Sequence, residues 1–268
     1  MLFAKTISFA PLLHTPHFST IFGSEDGKTV PTDKTGLIRE IETILFPQTK
    51  CKVLSSLAST IVQIETEEYP YTGSYFVDRR FLVFYPEEIP SRDIQLPSVE
   101  QILATMSSLL GMRYFWGGNC RGIPEMLDLY PPSILKTELD PFTHKNWALE
   151  GIDCSGLLYY STCGYTPRNT SSLIHYGHPV SIEGLTIEDI LSKLKPLDMI
   201  VWKGHVLFVY DTHTTVESKL GYGVIMSNLK EKLTELLQIK KPVNNWNAAA
   251  SNECFVIRRW HPKEGDLA

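Results

Sequence analysis

The distribution of turn residues divides this chain into two parts near residue 97, and this division limits the available folds more than any other feature. Before it, short runs rich in β-branched and aromatic residues are separated by Gly, Pro and polar turns, at 52–57, 60–65, 74–77 and 81–85. Runs of this length and spacing predict a small all-β barrel. Residues 85–97 contain three prolines and four charged residues, which is typical of a linker.

Helical periodicity begins directly after this linker. Ser98 and Gln101 form a capping-box pattern ahead of an apolar stripe that predicts a helix over 99–110. Thr186 and Asp189 indicate the start of a second helix, and a third is predicted over 229–239. Apolar runs predict strands at 199–202, 206–210 and 254–260. The prediction is therefore an α+β domain over residues 98–268 that follows a β-rich domain over residues 1–97.

Composition excludes some partners. The net charge is −5 and no long run of Lys or Arg occurs, which argues against nucleic acid as a ligand. No stretch of about 18 apolar residues without charges is present, so membrane insertion is not expected. The apolar segment at residues 1–23 is interrupted by two prolines and two histidines, which disfavours a cleaved signal peptide.

The cysteines indicate a reducing environment. The chain has five, an odd number, with no C-x-x-C pair and no metal-ligand spacing. Neither a disulfide framework nor a metal or other cofactor is therefore expected, and the cytoplasm is the predicted location. Four of them are interpreted as buried small apolar residues: Cys51, Cys120, Cys163 and Cys254.

The fifth, Cys154, lies where a helix is predicted to begin. Asp153 is a favoured N-cap residue, and an apolar run follows Gly156. The free N–H groups at a helix N-terminus favour a thiolate and can hold an oxyanion. This stretch alone fits a nucleophile or a buried structural cysteine equally well.

A thiolate nucleophile needs a base, and His205 is the best candidate because it begins a buried strand in "WKGHVLFVYD". By itself it also fits a structural histidine. A third group would orient its ring. If the hairpin loop that follows has an odd number of residues and is centred near Asp211, Glu217 lies opposite His205 on the same face of the sheet. A loop with an even number of residues would turn Glu217 to the other face. His213 is the alternative.

Three motifs, in order along the chain, resemble those of the NlpC/P60 family of cysteine peptidases, which remodel or recycle bacterial peptidoglycan. They are "YFWGG" at 114–118, "DCSGL" at 153–157 and "LKPLDMIVWKGHVLFVYD" at 194–211. "TPRNTS" at 166–171 resembles a further segment of that family. The resemblance extends over roughly residues 99–260.

This resemblance implies a papain-like catalytic domain, preceded by a bacterial SH3-like (SH3b) barrel in many members. It implies Cys154 as nucleophile and His205 as base, with Glu217 at the family's third polar position. It places Tyr114 near the oxyanion or substrate, and the motifs add substrate-binding candidates: Trp116, Asp153, Ser155 and Arg168. The implied reaction is hydrolysis of peptidoglycan stem peptides, at the γ-D-Glu–diamino acid bond.

Two questions stay open at this stage. Residues 119–150 form an insert of 32 residues that is interpreted as either a surface loop or a wall over the cleft. An inactive module that binds cell-wall peptides, or an acyltransferase or amidase using the same thioester, would also fit the motifs.

Overall fold

The computed structural model describes residues 2–56, 60–247 and 253–262. Its first part is a seven-stranded antiparallel sheet in the order β3-β2-β6-β5-β4-β1-β7. The strands are β1 (Leu2–Thr6), β2 (Ala10–Leu13), β3 (Ile41–Leu45), β4 (Lys50–Ser56), β5 (Ile61–Glu65), β6 (Tyr75–Asp78) and β7 (Leu82–Tyr85). The last four correspond to the predicted runs. The first three lie in sequence where no strand was predicted.

The expected closed barrel is wrong. Among the described residues, β3 and β7 form the two ends of the sheet and do not pair with each other. A sheet of seven short strands that stays open must cover its apolar face with other elements. The SH3-like assignment is therefore not supported by the topology.

The insert provides that cover. Its buried residues belong to the same hydrophobic core as β1–β7, with Met126, Leu127, Trp147 and Leu149 each at most 3% exposed. Two short strands, β8 (Asn119–Cys120) and β9 (Gly151–Ile152), pair with each other where the insert begins and ends. The interpretation of 119–150 as a surface loop is wrong, because the segment fills the first core. The boundary at residue 97 stays a prediction, since this core includes residues on both sides of it.

The second sheet carries the motif at 194–211. Its order is β10-β16-β11-β12-β13-β14, with β15 added parallel to β16. The strands are β10 (His178–Pro179), β11 (Met199–Trp202), β12 (His205–Val209), β13 (Thr214–Lys219), β14 (Gly223–Asn228), β15 (Lys241–Pro242) and β16 (Cys254–Arg259). The three predicted strands are confirmed to within one residue at either end.

The described residues contain eight α-helices: α1 (Phe18–Ile21), α2 (Val99–Ser108), α3 (Met126–Leu129), α4 (Pro141–Trp147), α5 (Cys154–Ser161), α6 (Thr170–Leu173), α7 (Ile187–Lys193) and α8 (Leu229–Ile239). The buried residues of α1, α3 and α4 belong to the core of the first sheet, whereas α2, α5, α7 and α8 pack on the second. The capping box at Ser98 is present, and α8 has the predicted bounds. One core packs α2 and α5 on the sheet, and a second packs α7 and α8 on the opposite face. The mixed α/β class is confirmed; the papain-like arrangement stays a prediction.

Two further expectations can be compared with the structure. All five cysteines are free, but Cys163 is exposed and Cys254 half-buried, so the interpretation of these two as buried residues is wrong. Cys163 lies in the turn that ends α5, where its backbone has a φ of 53°. None of the helices in the described segments has the length and apolar character needed to span a bilayer.

Candidate active site

The site is built on the N-terminus of α5. Asp153 is the N-cap, and its Oδ1 accepts a hydrogen bond of 2.6 Å from the Gly156 N–H. Cys154 is the first helical residue, as predicted. The helix lies so close to the preceding backbone that a Cβ at Gly156 would be 2.1 Å from the Gly118 carbonyl oxygen. Gly118 of the first motif and Gly156 of the second therefore allow their backbones to touch, and this contact fixes the position of Cys154.

Arg168 forms a buried cluster beneath this helix end. Its guanidinium donates to both carboxylate oxygens of Asp153, at 3.0 and 2.6 Å, and to Ser155 Oγ at 2.9 Å. It also donates to Thr43 Oγ1 of β3 at 2.8 Å. Burial disfavours the Arg168 cation, but the Asp153 carboxylate outweighs burial and raises the pKa of Arg168. The three predicted substrate-binding residues Asp153, Ser155 and Arg168 are thus buried and bonded to one another.

The environment of the Cys154 thiol differs from the prediction. Burial, followed by the negative charge of Asp153, raises the pKa of Cys154 to about 12. Arg168 and hydrogen bonds from the backbone at Val206 and Ser155 oppose this effect but do not overcome it. The expected lowering by the helix N-terminus is therefore wrong for this structure, because loss of hydration outweighs the helix dipole. Burial therefore disfavours the thiolate form of Cys154.

His205 and Glu217 are in direct contact. His205 Nε2 lies 2.7 Å from Glu217 Oε2. The hairpin loop has three residues, since Tyr210 pairs with Thr214, and its centre is Thr212 rather than Asp211. Continuing the register of Phe208 with Val216 puts Glu217 across from Leu207, so it reaches His205 diagonally on the same face. The odd loop and shared face are confirmed; the directly opposed position is wrong.

The alternative orienting residue is remote from the ring. His213 lies in the hairpin loop, where its N–H donates to Asp211 Oδ1 at 2.8 Å. It is exposed at the end of β12 far from His205. Glu217 is therefore the residue that holds the His205 ring.

Cys154 and His205 both lie at the start of β12. The apolar cluster that contains Cys154 includes Val206 and Phe208. His205 alternates with these residues, and its ring lies 5.0 Å from that of Trp202 on the side where α8 packs. The hydrogen bond from Val206 to the thiol brings Cys154 to the residue next to His205.

Glu217 also contacts a residue that sequence reasoning missed. Lys232 Nζ of α8 lies 2.7 Å from Glu217 Oε1. Burial alone would raise the pKa of Glu217, but hydrogen bonds from His205 and Lys232 outweigh burial and lower it to about 2. Lys232 flanks the apolar stripe of Leu229, Leu233 and Leu236, which is the signal that would have placed it against the sheet.

A cavity of about 420 Å³ opens beside His205. Tyr114 and Trp116 line it together with His205, Glu217 and Lys232. Trp116 is partly exposed, with the Arg39 guanidinium 4.4 Å from its ring centre. Burial and the nearby Asp153 and Cys154 raise the pKa of Tyr114, so its hydroxyl stays a donor. The aromatic candidates therefore share one cavity with the His205–Glu217 pair, and the buried Asp153–Ser155–Arg168 cluster lies apart from it.

No protein-family profile matches the chain, and no curated protein matches it. Solved structures similar to it include an NlpC/P60 family protein from Bacillus cereus, with 17% identity and a TM-score of 0.37. That match covers 97% of this chain, which spans 64% of the Bacillus protein. NlpC1 and NlpC2 of Trichomonas vaginalis are each 14% identical, with TM-scores of 0.36 and 0.35. These matches cover 98% of this chain and 70% and 74% of the Trichomonas chains. At these scores the likeness carries no argument about activity, which rests on the residues of this chain.

Proposed function

We propose that this protein is a cysteine peptidase, with Cys154 as nucleophile and His205 as base. The observation that carries the proposal is the position of Cys154 at the N-terminus of a capped helix, beside the start of β12. His205 is the first residue of that strand, and Glu217 of β13 holds its ring. A thiol, an imidazole and a buried carboxylate are the three groups that nucleophilic acyl transfer requires. The ordered motifs support the same assignment.

The thiol environment determines how such a reaction begins. Because burial disfavours the thiolate, the proposed reaction has Cys154 lose its proton to His205 as the sulfur attacks the substrate carbonyl. The Glu217 carboxylate stabilises the imidazolium that forms, and the first N–H groups of α5 bind the developing oxyanion. The imidazolium then protonates the leaving amine, and water hydrolyses the thioester.

The proposed substrates are peptidoglycan stem peptides, cut at the γ-D-Glu–diamino acid bond. The support is the set of motifs at 114–118, 153–157 and 194–211. The five free cysteines are consistent with a reducing compartment, so we propose that the enzyme acts in the cytoplasm on soluble peptides. A soluble tripeptide or tetrapeptide with a free amine should then be cut faster than intact sacculi. Faster release of material from sacculi would argue against this location.

The nucleophile is tested by replacing Cys154 with Ala. Purified protein and the Cys154→Ala variant are incubated with defined muropeptides, and the products are identified by mass. We expect one cleaved peptide bond with the wild type and none with the variant, whose circular dichroism should be unchanged because one small atom is lost. Equal cleavage by both proteins would rule out Cys154 as the nucleophile.

A second candidate is a binding module that holds the same peptides without cutting them. The buried Cys154 thiol with its raised pKa favours it, since such a thiol is not activated in the free protein. Calorimetric binding of a muropeptide to the wild type, with the peptide recovered intact after long incubation, would identify a binding module. Turnover of the peptide would establish the peptidase.

A further inference from the structure

We propose that Lys232 is a positioning residue that controls the protonation of His205 through Glu217; this rests on the proposed role of His205 as base. The three side chains form a continuous chain. Lys232 Nζ lies 2.7 Å from Glu217 Oε1, and Glu217 Oε2 lies 2.7 Å from His205 Nε2. Each carboxylate oxygen therefore has one nitrogen partner, the Lys232 amine on one side and the His205 imidazole on the other.

Burial makes this chain electrostatically strong. The Glu217 side chain is 3% exposed, Lys232 17% and His205 18%. The same helix offers a contrast in Lys230, which pairs with Glu188 at 3.1 Å while both side chains are more than 60% exposed. Water and salt screen an exposed pair of this kind almost completely. Lys232 is held in place because α8 packs on the sheet through Leu229, Leu233 and Leu236.

Lys232 sets how much negative charge His205 experiences. If Glu217 had His205 as its one partner, the carboxylate would stabilise the imidazolium fully, and near neutral pH more of the rings would already carry a proton and could not accept the one from Cys154. The positive charge of Lys232 offsets part of the negative charge of Glu217. It also fixes the carboxylate, so that Oε2 stays directed at Nε2 and Nδ1 has no contact with Glu217.

Other groups face the same ring. Lys219 of β13 and Glu235 of α8 line the cavity, and so do Arg39 and Tyr114. Trp202 of β11 adds an apolar surface. None of these is within hydrogen-bond distance of Glu217 in the described part of the chain, whereas Lys232 is. Apart from His205 itself, Lys232 is thus the main charged partner of Glu217.

The test is a nuclear magnetic resonance titration of the His205 ring in the whole protein. We expect Lys232→Met to move the titration midpoint upward by about one pH unit, because a charge within a few ångströms is lost. Lys230→Met, the matched control on the same helix, should leave the midpoint unchanged, and Lys232→Arg should restore it. An unchanged midpoint in Lys232→Met would overturn the proposal. Lys232→Gln provides the same comparison if the Met variant does not fold.

This readout does not require a substrate, so it separates two failures. Where stem peptides are cut, the acid limb of kcat/KM should move upward with the midpoint in Lys232→Met. A shifted midpoint in a protein that cuts no peptide would refute the proposed peptidase while supporting the electrostatic role of Lys232. A loss of thermal stability with an unchanged midpoint would show that Lys232 only holds α8 in place.

Discussion

The carboxylate of Glu217 connects the sheet, the helix α8 and the candidate base, and its charge has a consequence for stability. Its pKa is about 2 in the folded protein against 4.5 in the unfolded chain. A group whose pKa is lowered on folding stabilises the native state above its unfolded pKa, and this contribution is lost as the pH falls from 4.5 towards 2. The contribution at neutral pH is on the order of 3 kcal/mol.

Replacing Glu217 with Gln should remove this contribution and slow catalysis. We expect the free energy of unfolding, measured by urea titration, to vary less with pH in Glu217→Gln than in the wild type. The difference should appear between about pH 5 and about pH 2, where the wild-type carboxylate takes up its proton. Peptide hydrolysis should fall roughly 10- to 100-fold, because the ring loses the charge behind it. His213→Ala, which alters an exposed loop residue, is the control. A larger loss of activity with His213→Ala would show that the wrong residue was assigned.

Individual site residues were predictable to different degrees. Asp153 and Cys154 follow from local capping preferences, and Glu217 follows from loop parity; all three are short-range properties. The thiol pKa did not follow, because it depends on burial by distant segments. Arg168 was expected to meet substrate, but it is buried against Thr43, which is 125 residues away in sequence. A contact between residues so far apart in sequence cannot be predicted from the residues that neighbour either one.

At the level of elements, the insert at 119–150 is part of the first core. Its length was interpreted as that of a surface loop, but Trp147 within it is completely buried. The indole N–H of Trp147 donates a hydrogen bond to the Tyr130 carbonyl at 2.9 Å. Strands and helices with strong periodicity, such as α8, were predicted with accurate ends. The strands β1–β3 were not predicted, and only in β2 does a residue within the strand, Pro11, interrupt the alternation that identifies a strand.

Trp147→Ala tests the role of the insert. Removing a fully buried indole should destabilise the protein by about 3–5 kcal/mol, measured by chemical denaturation. Phe142→Ala on the same helix is the control, since Phe142 is 52% exposed and should cost far less. Equal, small effects of both substitutions would indicate that the insert does not support the first core.

For the molecule as a whole, buried polar contacts join the first sheet to the segments around α5. The Asn119 side chain accepts from the Ile44 N–H at 2.9 Å and donates to the Ile44 carbonyl at 2.8 Å, so it bonds to β3 as a neighbouring strand would. Arg168 adds its bond to Thr43. These contacts tie the edge of the first sheet to the segment that carries Cys154.

Because of these contacts, we expect one cooperative thermal transition. Scanning calorimetry should give a calorimetric enthalpy equal to the van't Hoff enthalpy for the whole chain. A fragment of residues 98–268 should fail to fold alone, since residues 115–149 would lose the sheet that they cover. Two separate transitions, or a folded fragment, would instead support independent domains that meet near residue 97.

The backbone contacts around α5 also restrict how this sequence can vary. A Cβ at Gly118 would be 2.3 Å from the Gly151 carbonyl oxygen, and one at Gly156 would be 2.1 Å from that of Gly118. These residues form a stack in which three chain segments touch without any side chain between them. Gly184, by contrast, faces open space, and Asn tolerates its left-handed backbone. A side chain can therefore be added at Gly184, while the contacts that locate Cys154 leave no room for a Cβ at Gly118 or Gly156.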